Sequence, residues 1–220
     1  MSLKLLFEID WLKTLRFNLH YFPLKQAVKI PAYVFWKTSF VELGGGILLN
    51  CKAKTGLIRI GPHTIGIKDK NTRTLWQVKG NVEVNGSVHL GRGCKICVEK
   101  DAVLRIGDHL HVTGDTTIVC KNSITFGKDC LMSWDVMVMD TDFHHIYNEG
   151  VEVNMPRPIT IGNHVWIGMG STVLKGVTIN DNIVISANSS ITRNLDEGNC
   201  VYGGAGRGVE ILKREIDWKR

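Results

Sequence analysis

No apolar stretch in these 220 residues approaches the ~18 to 20 that a membrane-spanning helix needs. The first residues lack the charged, apolar and cleavage regions of a secretory signal, so a cytoplasmic protein is the expectation. Paired cysteine spacings are scarce as well. Of Cys51, Cys94, Cys97, Cys120, Cys130 and Cys200, only Cys94 and Cys97 stand close enough to suggest a metal or redox pair. They lie an odd number of residues apart, which in a strand turns them to opposite faces and favours ordinary free thiols. The net charge of +6 is dispersed, without a basic stripe interleaved with aromatics. Nucleic acid is thereby an unexpected partner, and a small anionic ligand or an acidic membrane surface suits the charge better.

What the sequence does hold is a short period. Between Ile159 and Asn194, aliphatic residues recur every six positions at Ile161, Ile167, Val173, Ile179, Ile185 and Ile191. A second series runs two residues ahead, at Ile159, Val165, Ser171, Val177, Ile183 and Ser189. Positions two apart share one face of a strand, so each unit reads as a short strand plus a turn. Polar pairs such as Gly162-Asn163 and Asp181-Asn182 suit turns with positive φ. A unit this short buries its apolar side only by stacking on neighbours, the signature of a hexapeptide solenoid, an all-β parallel β-helix. With three units per coil, residues 18 apart stack: Ile161 on Ile179, Ile167 on Ile185, Val173 on Ile191.

Upstream, the same register runs through Val84, Leu90 and Ile96, resumes at Ile106, Val112 and Ile118, and again at Phe126, Met132 and Val138. The first two interruptions are short enough to widen corners. The third, between Val138 and Ile161, carries Asp140, Asp142, His144 and His145, a dense ionisable cluster on a long excursion. Long loops on rigid scaffolds are where function concentrates. The organisation expected is a helical extension over 1–45, a solenoid over 46–200 with an inserted loop at 139–160, and a bend and helix over 201–220. In the extension, residues 2–22 read as an amphipathic helix with Ser2 as N-cap and a stripe of Leu5, Ile9, Leu12, Leu15 and Leu19. Gly44-Gly45-Gly46 reads as a hinge into the solenoid. The helix is expected to cap the open end of the coil. Its cations Lys4, Lys13, Arg16, Lys25 and Lys29 also suit peripheral membrane contact.

The run from Pro158 through Val165-Trp166-Ile167-Gly168, continued by Gly176-Val177-Thr178-Ile179 and Ser186-Ala187 to Arg193, resembles the C-terminal repeats of hexapeptide acyltransferases. The nearest pattern is that of sugar and polysaccharide O-acetyltransferases, with the galactoside and maltose acetyltransferases. The Asp140-Thr141-Asp142-Phe143-His144-His145 loop resembles the histidine-bearing loop of the polysaccharide group. The resemblance implies a left-handed coil, an exception to the usual right-handed crossover, and a homotrimer with active sites between subunits. It implies acetyl-CoA as donor and a sugar or oligosaccharide as acceptor, with no metal expected. An imidazole titrating near ~6.5 can accept a hydroxyl proton and return it to the leaving thiolate. His144 is the expected base, with Asp142 or Asp140 fixing its tautomer and His145 as the neighbouring candidate. By the same resemblance Trp166 and Gly168 wall the groove, Ala187 and Thr192 follow the pantetheine arm, and Arg193 and Arg207 meet the CoA phosphates. Three features depart from the pattern: Asn188 follows Ala187, Gly204-Ala205-Gly206-Arg207-Gly208 lacks the usual proline, and the loop lacks the His-Pro pair of the galactoside enzymes, which argues against a small-sugar enzyme.

The activity expected is thus acetyl-CoA-dependent O-acetylation of a sugar hydroxyl, on a surface polysaccharide precursor. Three other readings stand beside it. The same base would serve N-acetylation of a nucleotide-linked amino sugar. A γ-type carbonic anhydrase shares the coil and would draw on His89, His109, His111, His144, His145 and His164 for zinc, with His109 and His111 offering two nitrogens on one strand face, although no third ligand falls in register. A non-catalytic trimeric scaffold would keep the coil with a decayed donor groove.

Overall fold

The computed structural model describes residues 6–63, 69 and 71–219, apart from the side chain of Arg207. Ser2, Lys4 and Leu5 lie outside the described residues. The chain winds through three parallel sheets that form the sides of a triangular prism. The first sheet runs β1 (Ala32–Val34), β4 (Ile58–Ile60), β7 (Val88–Leu90), β10 (Leu110–Gly114), β13 (Leu131–Trp134), β18 (Trp166–Ile167), β21 (Ile183–Ile185) and β23 (Cys200–Gly203). The second holds β2 (Thr38–Leu43), β5 (Thr74–Val78), β8 (Lys95–Val98), β11 (Thr117–Cys120), β14 (Met137–Met139), β19 (Thr172–Leu174) and β22 (Ser190–Ile191). The third holds β3 (Gly46–Leu49), β6 (Asn81–Val84), β9 (Val103–Ile106), β12 (Ser123–Phe126), β17 (Ile159–Ile161) and β20 (Thr178–Ile179).

The register follows the sequence period. Ile161 pairs with Ile179, Ile167 with Ile185 and Val173 with Ile191. The second series, from Ile159 to Ser189, is buried throughout. Each column fills the prism interior only because the coil above and below supplies the same shape. Truncating one rung, such as Ile167→Ala, leaves a void and costs about 2–5 kcal/mol. Asn182 and Asn188 take φ of 58° and 57°, as their turns require. Cys94 is buried in the core and Cys97 faces outward, and all six thiols are free.

Three boundaries differ from the expectation. The first coil begins at Ala32, and Gly44 to Gly46 is one of its corners rather than a hinge: a Cβ on Gly45 would stand 1.8 Å from the carbonyl oxygen of Gly80. The C-terminal segment is a strand, β24 (Glu210–Lys213), lying antiparallel on β23, because β23 offers an edge that extended backbone satisfies and a helix cannot. A short 3-10 turn at Gly206–Gly208 precedes it.

The N-terminal helix α1 (Trp11–Tyr21) starts at Asp10, whose side chain accepts from the Lys13 amide. It caps the coil, but with another face than the leucine stripe. Thr14, Phe17, Asn18 and Tyr21 are buried. Asn18 donates to the Ala32 carbonyl at 2.7 Å and accepts from its amide at 3.0 Å, and the Thr14 hydroxyl accepts from the Val34 amide at 3.0 Å. These side chains act as the missing neighbour strand of β1, which is worth more at an exposed sheet edge than additional apolar contact. Leu12, Leu15 and Leu19 are left outside, 83%, 48% and 62% exposed. Helix α2 (Leu24–Ala27) follows and exposes Leu24.

Candidate active site

Every passage from the second sheet to the third crosses one edge of the prism, and the inserted loop leaves the fifth coil at that edge. Its base is tied to the coil beneath. Asp140 is fully buried, and its carboxylate accepts from the amides of Lys121 at 2.7 Å and Asn122 at 2.8 Å in the adjacent corner. Burial raises its pKa against the lowering effect of those amides. On the return side, the Arg157 amide donates to the Asp140 carbonyl and Asn122 Nδ2 donates to the Pro156 carbonyl. Both feet of the loop therefore stand on residues 121 and 122 and on Asp140.

The tip is a hairpin of β15 (Tyr147–Asn148) and β16 (Val151–Glu152). Glu149 and Gly150 between them both have positive φ, 49° and 76°, the geometry that matches the twist of a tight hairpin. Asn154 then knits the flap together. Its Nδ2 donates to Asp142 at 2.9 Å and to the His144 carbonyl at 2.8 Å, and its Oδ1 accepts from the Ile146 amide at 2.6 Å. Lys175, in the turn after β19, donates to the Asp142 carboxylate and to the Asn154 carbonyl at 2.6 Å. The Lys175 ammonium, followed by Asn154, holds the Asp142 carboxyl below its ordinary value.

The acids and histidines of the loop are therefore partnered differently from the expectation. Among the described residues neither carboxylate is bonded to the His144 imidazole: Asp140 caps backbone amides, and Asp142 belongs to the Lys175–Asn154 latch. His144 is exposed, its main chain is fixed on both sides, and its imidazole makes no hydrogen bond among the described residues. His145, also exposed, is 2.7 Å from Glu152 through Nδ1. Lys175, Asn154 and Glu152 are site residues that sequence reading passes over. A lysine in a turn carries no pattern, and its partners are 33 and 21 residues away.

Trp166 lies on the outer face of the first sheet with its indole N–H donated to the Ser133 hydroxyl at 3.1 Å. Beside it runs an apolar groove of about 300 Å³, walled by Trp134, Trp166, Gly168, Met169, Val184 and Ala187. Its floor is the corner between the first and second sheets, where Ser171 and Ser189 replace aliphatics and donate to the Ser186 carbonyl at 2.9 and 2.8 Å. A Cβ on Gly168 would stand 2.7 Å from the Ala187 amide nitrogen, so the coils close up here only with glycine. Trp166, Gly168 and Ala187 thus come together. Narrow, apolar and mouth-open, the groove fits an aliphatic amide arm such as pantetheine.

Thr192 and Arg193 do not share that groove. They follow β22, and the Arg193 guanidinium donates to the Val209 carbonyl. The cavity around Arg193 is lined by Asp196, Glu197 and Glu210 as well as Arg214, acids that would repel a phosphate. Arg193 therefore braces the C-terminal strand. The Arg207 side chain lies outside what the structure describes. His89, His109 and His111 do not gather as a zinc site either: His89 and His111 stack with ring centroids 4.2 Å apart, and His109 bonds Asp129.

Comparison with known proteins agrees with the coil. Residues 158–193 match the family Bacterial transferase hexapeptide (six repeats). The chain is 38% identical over 130 residues to the polysialic acid O-acetyltransferase of Neisseria meningitidis, covering 58% of this chain and 53% of that one. It is 36% identical over 94 residues to the galactoside O-acetyltransferase of Escherichia coli (strain K12), covering 42% and 46%. The chain spans about half the length of the curated relatives it matches. Among solved structures, the polySia specific acetyltransferase NeuO superposes with a TM-score of 0.57 at 21% identity, over 84% of this chain and 89% of that one, a likeness of fold. The fold is the left-handed parallel β-helix of hexapeptide transferases, and the chain resembles sugar and polysaccharide O-acetyltransferases.

Proposed function

We propose that this protein transfers an acetyl group from acetyl-CoA to a hydroxyl of a sugar, in a surface polysaccharide or its precursor, from sites shared between subunits of a homotrimer. The observation that carries this reading is the placement of its two parts. The flap rises from the edge between the second and third sheets, whereas the apolar groove occupies the first sheet and the edge between the first and second. The full width of the second sheet separates them in one chain. A neighbouring copy around a threefold axis brings one chain's flap over another's groove. The flap's exposed Phe143, Ile146, Tyr147, Val151 and Met155 are the surface such a neighbour would cover.

In the reaction, the acceptor oxygen attacks the thioester carbonyl while His144 takes the hydroxyl proton. The tetrahedral intermediate then collapses, the carbon–sulfur bond breaks, and His144 returns the proton to the departing thiolate. An exposed imidazole with no hydrogen-bond partner among the described residues is free to do this, and the contacts of the Asp142 carbonyl and the Asn154 side chain hold the His144 main chain in place. Replacing His144 with alanine tests the assignment: turnover falls ~10²-fold or more with acetyl-CoA affinity unchanged. Equal turnover would remove His144 as the base. The His145–Glu152 contact supports a second reading, in which His145 is the base oriented by a carboxylate. Glu152→Gln separates the two, since it impairs turnover only if His145 acts. An amine acceptor is the alternative substrate, distinguished by screening nucleotide-linked amino sugars beside neutral and charged oligosaccharides.

We also read the outer face of α1 as a contact for the anionic cytoplasmic face of a membrane. No helix among the described residues is long and apolar enough to cross a membrane. Trp11, Leu12, Leu15 and Leu19 form an exposed stripe, with Arg16 and, beyond the helix, Lys25 and Lys29 also exposed beside it. Vesicles containing phosphatidylserine should co-sediment the protein and neutral vesicles should not. Leu15→Asp/Leu19→Asp should abolish binding, and retention by that variant would remove this role.

A further inference from the structure

Above Trp166, the outer face of the first sheet continues as one column with changed chemistry. In parallel register Trp166 pairs with Leu131, Leu131 with His111, His111 with His89, and His89 with Arg59. Neighbouring strands are ~4.8 Å apart, which places His111 about 10 Å and Arg59 about 19 Å from Trp166 along the column. A cavity of about 360 Å³ lies over this end, lined by Arg59, Ser87, His89, His109 and His111 among others. A second, of about 280 Å³, adjoins it through Leu57, Ser87 and His109 and brings Lys52 and Lys54 to the rim.

The charges around these cavities are unequal. Asp108, on the lining of the second cavity, accepts from the amide and hydroxyl of Ser87 and the amide of His109, and Asp129 is bonded to His109, whereas Arg59, Lys52 and Lys54 bring three positive charges. The backbone of Arg59 belongs to the ladders with β1 and β7, and its guanidinium has no hydrogen bond or ion pair among the described residues. The His89 imidazole is pushed down to about 3 by burial, then by His111 and Arg59, so it is neutral and the positive charge rests on Arg59. His89 Nε2 is also the one buried side-chain nitrogen or oxygen among the described residues without a hydrogen-bond partner. A guanidinium on the strand next to a flat imidazole pair, with Lys52 and Lys54 at the adjoining rim, is arranged for a planar or tetrahedral anion.

We propose that Arg59, with His89 and His111 stacked beside it, forms an anion subsite that holds a carboxylate or phosphate of the acceptor at a fixed distance from the acetyl-transfer groove. The proposal rests on the acetyltransferase reading and narrows its substrate class. An acceptor anchored about 10–19 Å from Trp166 is an anionic saccharide longer than a free monosaccharide, either an acidic oligosaccharide or a sugar linked through a diphosphate. Binding energy at this remote anchor would orient the hydroxyl at the groove without touching the reacting atoms.

The test measures binding without turnover, so it stands apart from the identity of the base. Calorimetry is run with a sialic acid tetramer, its carboxyl-reduced counterpart and UDP-N-acetylglucosamine, each in the absence of acetyl-CoA. The wild-type chain should bind at least one anionic probe, with the probe naming whether carboxylate or diphosphate is held. Arg59→Ala should weaken that binding by about tenfold, with Arg59→Lys between the two, because a point charge replaces a bidentate fork. Acetyl-CoA affinity and any binding of the carboxyl-reduced tetramer should be unchanged. His144→Ala should bind the anionic probe as the wild type does. Failure of the wild type to bind either anionic probe, or an equal loss in Arg59→Ala for neutral and charged probes, would overturn the subsite.

Discussion

The same edge of the prism is turned by short corners and by one flap, and the two solve the backbone problem in different ways. At residues 79–80, 99–102 and 121–122 a few residues turn the chain, with Lys79, Gly80 and Glu99 donating their amides to carbonyls of the following coil and Lys121 and Asn122 donating theirs to Asp140. The flap crosses the same edge with residues 140–158, and beyond its feet it satisfies itself through Asn154, the hairpin and Lys175. A corner is therefore as stable as the stack it belongs to. A flap held by its own polar latch can present side chains to solvent at an angle the stack does not dictate, and those side chains are His144 and His145.

That contrast can be broken from either side. The largest effect expected is the ~10²-fold or greater loss of turnover in His144→Ala, since the stack and groove are untouched and only the presented group is missing. Lys175→Ala should leave the fold and acetyl-CoA affinity intact but loosen the flap, with roughly tenfold lower turnover. Hydrogen exchange should rise in residues 140–158 and stay unchanged in the coils. Next comes Trp166→Ala, which opens the groove and should raise the dissociation constant of acetyl-CoA by roughly tenfold with little change in flap exchange. Asp140→Ala takes the carboxylate partner from the Lys121 and Asn122 amides and should cost about 1–3 kcal/mol of stability, read as a lower thermal midpoint.

The smallest effect concerns pH. Because the folded-state pKa of Asp142 is depressed, chiefly by Lys175, the latch is fully formed above the ordinary aspartate value of ~3.9. It is lost as pH falls through the lower folded value. Proteolytic sensitivity at Glu149–Gly150 should therefore rise only below that range, and Asp142→Asn should make it insensitive to pH.

The prism was legible in sequence because its columns are local arithmetic: Ile161, Ile179 and their counterparts announce the coil, and the register matched residue for residue. The edges were less legible, for a physical reason. In α1 the leucines form the more conspicuous stripe, yet Thr14 and Asn18 face inward because an unpaired strand edge needs hydrogen bonds more than apolar cover. In the segment from Val209 to Trp218, apolar spacing admits helix or strand, and the free edge of β23 decides. At the site, Trp166, Gly168 and Ala187 sit on the repeat and line one groove. Asp140 and Asp142 were legible as flap residues but not by role, since that depends on which distant amide or ammonium each meets. Arg193 shows the same limit, its charge directed to the Val209 carbonyl by a strand placed only by tertiary pairing.

The proposal that the site is shared between subunits can be tested directly by subunit mixing. His144→Ala, which keeps the groove, is unfolded and refolded together in equal amounts with Ala187→Trp, which fills the groove and keeps the flap. Each variant alone should be inactive. If one chain's flap serves another chain's groove, random assembly should restore about a quarter of wild-type activity, whereas a site complete within each chain would restore none.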